Sequence, residues 1–467
     1  MPSSQEWLTF AEWGKQYGPL VMVEMLGQKM CIINSAEVAL DLLDKRSAIY
    51  SERPSMVMVK ELMGWEFNMG FQSYTPTYRK HRENFTRGFS PKASENYQHL
   101  QTREIILCLR KLLENPEKFD EHLRNTIGAV VMMIAFGYET KENDEFVRIA
   151  EEAQLAMVSA ARPGAYMVDV IPILRYVPEW FPGANFQRVA RRGYELAQDL
   201  QQKPWVWGMN QYKKGVAKPS FFTSLMEPDG IAVQHSPEKM KVIQKDCAVL
   251  YATAADTILA SVLTFFLAML HAPEVVTKAQ AELDKVTGGI RLPTFADRPA
   301  LPYITAIAKE SLRWESVIPM GVPHVVKQDD VYKGYFIPAG TTMIPNQWGM
   351  SHDDELYSDP MSFRPERFMP GVDGTPPRDP NTIAFGFGRR ICPGRFLAEQ
   401  QLWLQIATTL LCFNIRRTCD EAGNEIIPPR FYSSGMASRP IPFACQITPR
   451  NAAYVELIAQ SVAALDE

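Results

Sequence analysis

Cys392 lies in FGFGRRICPG, residues 385 to 394, behind two arginines and before a Pro393–Gly394 step that opens a helical pattern. A helix starting after Cys392 puts the cysteine at its N-cap and Pro393 at the first helical position, where a missing N–H costs nothing. The free amides and dipole of that helix end, with Arg389 and Arg390 nearby, lower a thiol pKa and favour thiolate. Gly386, Gly388 and Gly394 let the backbone turn tightly and approach a flat ligand. Phe385 and Phe387 supply apolar walls. A thiolate presented in this way suits a metal ligand or a nucleophile. A nucleophile needs a base, and no local Cys–His signature is present. Zinc needs three more ligands, and no local spacing offers them. Haem iron needs a single protein thiolate, because the macrocycle brings four nitrogens.

A second candidate group sits in CAVLYATAADTILASVLTFFLAML, residues 247 to 270, where Asp256 is the one charge. The run is long enough to cross a bilayer. A carboxylate near mid-span with no second span to face is costly there, whereas the centre of a large soluble domain needs a helix apolar on all sides. The buried central helix is the reading adopted. A buried carboxylate at Asp256 beside the Thr257 hydroxyl can relay protons once water reaches it. Thr257 can also bond back to the carbonyl four residues earlier and distort the helix. In KESLR, residues 309 to 313, Glu310 and Arg313 share one helical face and can pair.

Positioning these groups falls to a mostly helical chain. Of 467 residues, 46% are hydrophobic and 22% charged, as in a globular enzyme. A net charge of -4 and the lack of GxxxxGK[ST] argue against nucleic-acid partners and phosphate-loop chemistry. The seven cysteines are scattered and never spaced C-x-x-C, which fits a reducing compartment better than a disulfide framework. The N-terminus goes straight to an amphipathic helix capped by Ser3 or Ser4, with no signal peptide or apolar anchor. Residues 21 to 35 read as a hairpin around Gly27, with a helix from Ser35 to Arg46. Helical patterns then cover 76–88, 94–160 with breaks, 184–214, 237–286 and 302–315. Short strands follow in VPHVVK and VYKGYFI, then a Pro-rich irregular stretch from Asp353 to Pro380. The fold expected is mainly α, one large domain over residues 1–467 with a small β-sheet portion.

The loop F-G-F-G-R-R-I-C-P-G resembles the haem-binding loop of the cytochrome P450 family, F-x-x-G-x-R-x-C-x-G. Phe385, Gly388, Arg390, Cys392 and Gly394 fill every fixed position. The resemblance implies heme b between the central helix and this loop, with Cys392 as axial thiolate and metal ligand. It also implies Arg390 on a haem propionate and Phe385 against the macrocycle. Glu310 and Arg313 match the family's E-x-x-R helix, and FRPERF at 363 to 368 matches the segment that brings Arg367 to them, implying a partly buried network. His324 in GVPHVV falls where the family often contacts a propionate. YRKHR at 78 to 82 resembles the W-x-x-x-R helix, with Tyr78 in place of Trp and Arg82 matching. Arg79, Lys80 and His81 there read as a solvated basic face that can dock an acidic electron donor. TAADTI resembles the oxygen-activation segment, making Asp256 and Thr257 the catalytic pair. Thr253, Ala254 and Ile258 depart from its usual residues.

The pattern is nearest to fungal, microsomal members of the family. It implies a monooxygenase that takes NADPH-derived electrons from a cytochrome P450 reductase, and dioxygen, to hydroxylate an apolar small molecule. A terpenoid-like secondary metabolite is the expected substrate class, and a monomer the expected form. The family's membrane anchor would hold the native protein on the cytosolic face of the endoplasmic reticulum; without it the chain would be soluble or peripheral. The aromatic residues of 161 to 182 are expected to touch the bilayer or to pack over the substrate channel. Two other readings share the cofactor: a haem-thiolate isomerase or dehydratase acting on peroxides without external electrons, and a non-catalytic haem or ligand carrier. The pocket is expected to draw on Met56–Phe71, Met157–Met167, Leu250–Ala254, Val317–Val322 and Gly435–Ala437.

Overall fold

The computed structural model describes residues 4–465, apart from 162–163, 232 and 373–375. Helix α1 (Glu6–Tyr17) begins after its N-cap Gln5, which is left-handed with φ 46° and gives no side-chain cap. Ser4 does not cap it, and Ser3 lies outside the described residues. Tertiary bonds replace the cap: the Gln5 N–H donates to Ser434 Oγ at 3.1 Å and its carboxamide to the Tyr432 carbonyl at 2.9 Å. Strands β1 (Leu20–Met25) and β2 (Gln28–Ile33) form the expected antiparallel hairpin. Its turn has positive φ at both Leu26 and Gly27, which matches the right-handed twist of the strands. Strands β3 (His324–Val325) and β4 (Thr342–Pro345) complete a sheet of order β1-β2-β4-β3, with β2 and β4 parallel.

The helical body includes α2 (Pro76–Gly88), α3 (Gln98–Glu114), α4 (Phe119–Phe136), α5 (Glu145–Ala160), α6 (Asn185–Lys213), α7 (Pro237–His271), α8 (Pro302–Trp314) and α9 (Arg395–Cys412), with further helices at Pro273–Thr287 and Ala452–Ala463 and shorter turns. The Lys239 N–H donates to the Ser236 hydroxyl to cap α7, and Pro237 takes the first position. Nearly every side chain from Ile258 to Leu270 is buried, with α4, α6, α8 and α9 packed around the helix. The apolar run is therefore the core of the domain, where each buried Leu or Phe contributes about 1.5–3 kcal/mol. A charge at Leu263 or Phe266 would break this packing, since nothing there could pair with it. Asp246, near the start of α7, is the exception that has partners, and they come from α2.

Candidate functional site

The Cys392 loop is held by its own backbone and by a distant turn. The Cys392 N–H donates to the Phe385 carbonyl at 2.8 Å, closing the loop. Gly388 has φ +53°, and a Cβ there would collide with the Leu43 carbonyl oxygen of the π-helical stretch Leu40–Lys45. Glycine is thus required by both backbone and space. Helix α9 starts later than the sequence suggests: Gly394 is its N-cap and Arg395 its first residue. Cys392 stands two residues before the cap, because the Pro393–Gly394 step is a turn ahead of the helix.

The thiol's electrical surroundings differ from expectation as well. Arg389 is exposed, and Arg390 turns away to donate to the carbonyls of Ser51 (2.8 Å) and Gln72 (2.8 Å) while stacking on Tyr78. What lowers the Cys392 pKa is first the Gly394 N–H and then the cations Arg82 and Arg395. Arg82 donates to the Ile391 carbonyl next to the cysteine, and Arg395 to the Cys392 carbonyl at 3.2 Å. Burial outweighs them and pushes the protein's free thiol up, so thiolate there needs a bound cation as partner.

Above the cysteine lies a cavity of about 300 Å³. All five expected segments contribute: Met69 and Phe71, Met157 and Val158, Leu250 and Ala254, Val317 and Val322, Met436 and Ala437. Residues 162 and 163 of the second segment lie outside the described residues. Phe85 and Phe89 add a wall from α2 and its end that the sequence reading left out. Phe385 lines the same cavity beside Cys392, and a Cβ on Gly394 would meet nothing within 4 Å, leaving open space over the thiol.

One rim of the cavity gathers Arg53, Arg390 and His324, and neither arginine forms an ion pair among the described residues. Arg53 donates to the carbonyls of Gly70 (2.9 Å), Val322 (2.6 Å) and Pro323 (2.7 Å). Burial, then the nearby Arg390, push its pKa down to about 9. His324 Nδ1 donates to the Tyr50 carbonyl at 2.7 Å, and burial followed by Arg53 depresses its pKa well below the usual histidine range. Two arginines that repel one another without an ion-pair partner, beside a histidine that their charge helps keep neutral, suit a ligand bringing its own acidic groups. The donor set, the open space above the thiol and this rim all fit haem with its propionates. Arg53 is the residue sequence reasoning missed, and its only signal was an arginine before proline in SERPS.

Opposite the loop, Thr257 faces the cavity and bonds back to the carbonyls of Thr253 (3.0 Å) and Ala254 (3.2 Å), while α7 stays α-helical throughout. The expected distortion does not interrupt the helix. Asp256 is not buried in the cavity: successive helical residues point about 100° apart, and its side chain is 30% exposed, 3.7 Å from Arg439. It lines a separate recess of about 20 Å³ with Glu151 and Tyr251, enough for one water.

Behind the loop, Arg313 grips Glu310 bidentately at 2.7 and 2.8 Å, and Arg367 Nε donates to the same carboxylate at 3.1 Å. All three are buried outright rather than in part. Tyr78 is buried and donates its hydroxyl to the Arg389 carbonyl at 3.0 Å. His81 corrects the solvated-face reading. It is buried on α2 against Asp246, whereas Arg79 and Lys80 are exposed.

The cytochrome P450 family model matches residues 3–442. The chain belongs to the cytochrome P450 family. As a P450 it is an oxidoreductase of the monooxygenase class, and the family implies haem with a cysteine thiolate. Cytochrome P450 monooxygenase COX2 of Coprinopsis cinerea is 41% identical over 475 residues, covering 100% of this chain and 90% of that protein. Cytochrome P450 monooxygenase 208 of Postia placenta is 40% identical, over 97% of this chain and 88% of its own. A solved zebra fish cytochrome P450 with progesterone matches this P450 with a TM-score of 0.78 at 22% identity, over 96% of this chain and 100% of that one, which bears on the fold.

Proposed function

We propose that this P450 is a haem-thiolate monooxygenase that hydroxylates an apolar, terpenoid-like small molecule of fungal secondary metabolism, with heme b ligated by Cys392. The observation that carries the reading is Cys392 and Thr257 facing one apolar cavity whose rim holds Arg53, Arg390 and His324. When bound, a thiolate-ligated haem supplies dioxygen activation with two electrons from NADPH by way of a reductase. Arg53 and Arg390 would hold the propionates, with His324 beside them on the rim, its Nδ1 bonded to the Tyr50 carbonyl. Arg82 and Tyr78 fix the loop from α2, Gly388 and Gly394 keep it close to the macrocycle, and Phe385 walls it. Thr257 places its hydroxyl oxygen at the cavity face with its proton bonded back into α7, ready to turn toward an acceptor in the cavity, and Asp256 faces the recess on the other side of α7. The Glu310–Arg313–Arg367 network braces the loop's underside.

Arg79 and Lys80 lie exposed on the helix that touches the Cys392 loop, which supports docking of an acidic reductase there. Leu26, Ile173, Tyr176 and Trp180 are 70%, 68%, 70% and 81% exposed, and Gln28 reaches the Asp169 carbonyl to bring the hairpin beside residues 167–181. This apolar face supports contact with the endoplasmic reticulum membrane. The deciding experiment is a carbon-monoxide difference spectrum of the reduced protein and of Cys392→Ala, with product formation assayed with and without NADPH and reductase. A thiolate-type band lost in the variant, with NADPH-dependent product, is expected. Isomerisation or dehydration of a hydroperoxide with no NADPH-dependent product would refute the monooxygenase assignment, and an unchanged spectrum in Cys392→Ala would refute the ligand.

A further inference from the structure

Two polar side chains of the cavity, Gln154 and Gln347, are left without a side-chain hydrogen bond among the described residues, and Gln154 is the one on the wall that α5 and α7 build. Gln154 stands on α5 one turn before Met157 and Val158, on the face that lines the cavity. It is 6% exposed, and its carboxamide forms no hydrogen bond among the described residues. Gln154 stands between the cavity, where Met157, Val249 and Leu250 are its neighbours in the lining, and the small recess of Glu151, Tyr251 and Asp256; buried polar groups are nearly always bonded, so its bare amide is held for something that enters the cavity. Thr253, the other polar group of this wall, spends its proton on the Val249 carbonyl at 2.8 Å and offers lone pairs only. A charged ligand group is disfavoured here. The nearby arginines are already engaged, Arg124 of the recess with Glu151 at 3.7 Å and Arg439 with Asp256 at 3.7 Å.

We propose that Gln154 sets the specificity of this cavity, and that the substrate is an apolar molecule carrying one uncharged oxygen function, a hydroxyl or carbonyl, remote from the carbon oxidised. This rests on the haem-thiolate reading, which fixes the oxidised end of the substrate on the Thr257 side of the cavity, across from Cys392. A hydroxyl uses both the donor and the acceptor of the amide, and a hydrocarbon of the same skeleton leaves both bare. Discrimination then comes from the unpaired amide more than from shape.

Imidazoles that ligate the iron probe this without knowledge of the natural substrate. 1-Alkylimidazoles and 1-(ω-hydroxyalkyl)imidazoles of matched length are titrated spectroscopically into holoenzyme, over a series of chain lengths. At the length that reaches Gln154, the hydroxyl should improve affinity relative to its alkyl twin about tenfold more in the wild type than in Gln154→Leu. Gln154→Met keeps the side-chain volume and should behave as the leucine variant does. A hydroxyl tail that weakens wild-type binding at every length overturns the proposal, whether or not the variants fold. So does the same alkyl-to-hydroxyl ratio in wild type and variants, the result expected if a water in the recess already satisfies the amide. An absent imidazole shift in the wild type would overturn the haem reading itself, whereas a normal shift without selectivity overturns this proposal alone.

Discussion

Replacing Asp246 with leucine should be among the most damaging changes away from the cavity. The carboxylate is fully buried between α7 and α2. It sits 2.5 Å from His81 Nδ1, and Asn84 Nδ2 donates to its other oxygen at 2.6 Å. Lys239 reaches Asn84 Oδ1 at 3.4 Å, and His81 Nε2 has no partner. Burial raises the Asp246 pKa, with His81 the first group pulling it back. Leucine leaves the His81 and Asn84 donors buried and unsatisfied, at about 1–3 kcal/mol each, or about 4 kcal/mol together. His81→Leu alone strands a carboxylate and should cost a similar amount. The double variant His81→Leu/Asp246→Leu removes both partners and should cost less than either single change, about 1–2 kcal/mol. Urea unfolding of the wild-type and three variant holoenzymes gives the coupling through a double-mutant cycle. Because α2 also carries Arg82, bonded beside Cys392, the thiolate-type carbon-monoxide band should disappear at lower urea in each single variant. A single change costing under about 1 kcal/mol, or two costs that simply add in the double variant, would refute the reasoning.

Gly388→Ala forces a side chain into positive φ and against the Leu43 carbonyl, so backbone strain alone should cost about 1–3 kcal/mol, with weaker haem retention; an unchanged melting temperature would count against this. Glu310→Ala strands the buried Arg313 and Arg367 and should cost about 3–5 kcal/mol, read as a thermal shift, with a wild-type melt as the contrary result. Arg53→Gln removes an unpaired cation from the rim and should speed haem loss to an apo-globin acceptor; equal transfer rates would remove Arg53 from the propionate site. The hydrogen-bonded Arg291 holds Asp297 at about 2. A depressed acid stabilises the fold above its unfolded value of about 4 and loses that contribution as pH falls through the folded one. Asp297→Asn should therefore lose less stability than wild type between those limits, and parallel acid titrations would refute the assignment.

The sequence was most readable where the physics is local. Pro76–Gly88 is the helix that its pattern predicts, the Gly27 hairpin forms in register, and Glu310 and Arg313 pair because one helical turn brings them together. His81 shows where local reading stops. In YRKHR it looks like one more solvated cation, yet Tyr78, His81 and Phe85 follow helical spacing onto the buried face of α2. The period was visible, but Asp246, 165 residues away, was not. Without that partner a buried histidine is the costlier assignment, so sequence alone favours the solvated one. The same limit explains the thiol. The arginines adjacent to Cys392 in the chain point elsewhere, and Arg82 arrives from another helix to act on it. Arg53 lies outside any helix or strand, so no periodicity marks it, and its role appears only when Arg390 and His324 are seen on the same rim. Spacing along a chain fixes which face a residue occupies; its charge acquires a function only from what the fold sets against that face.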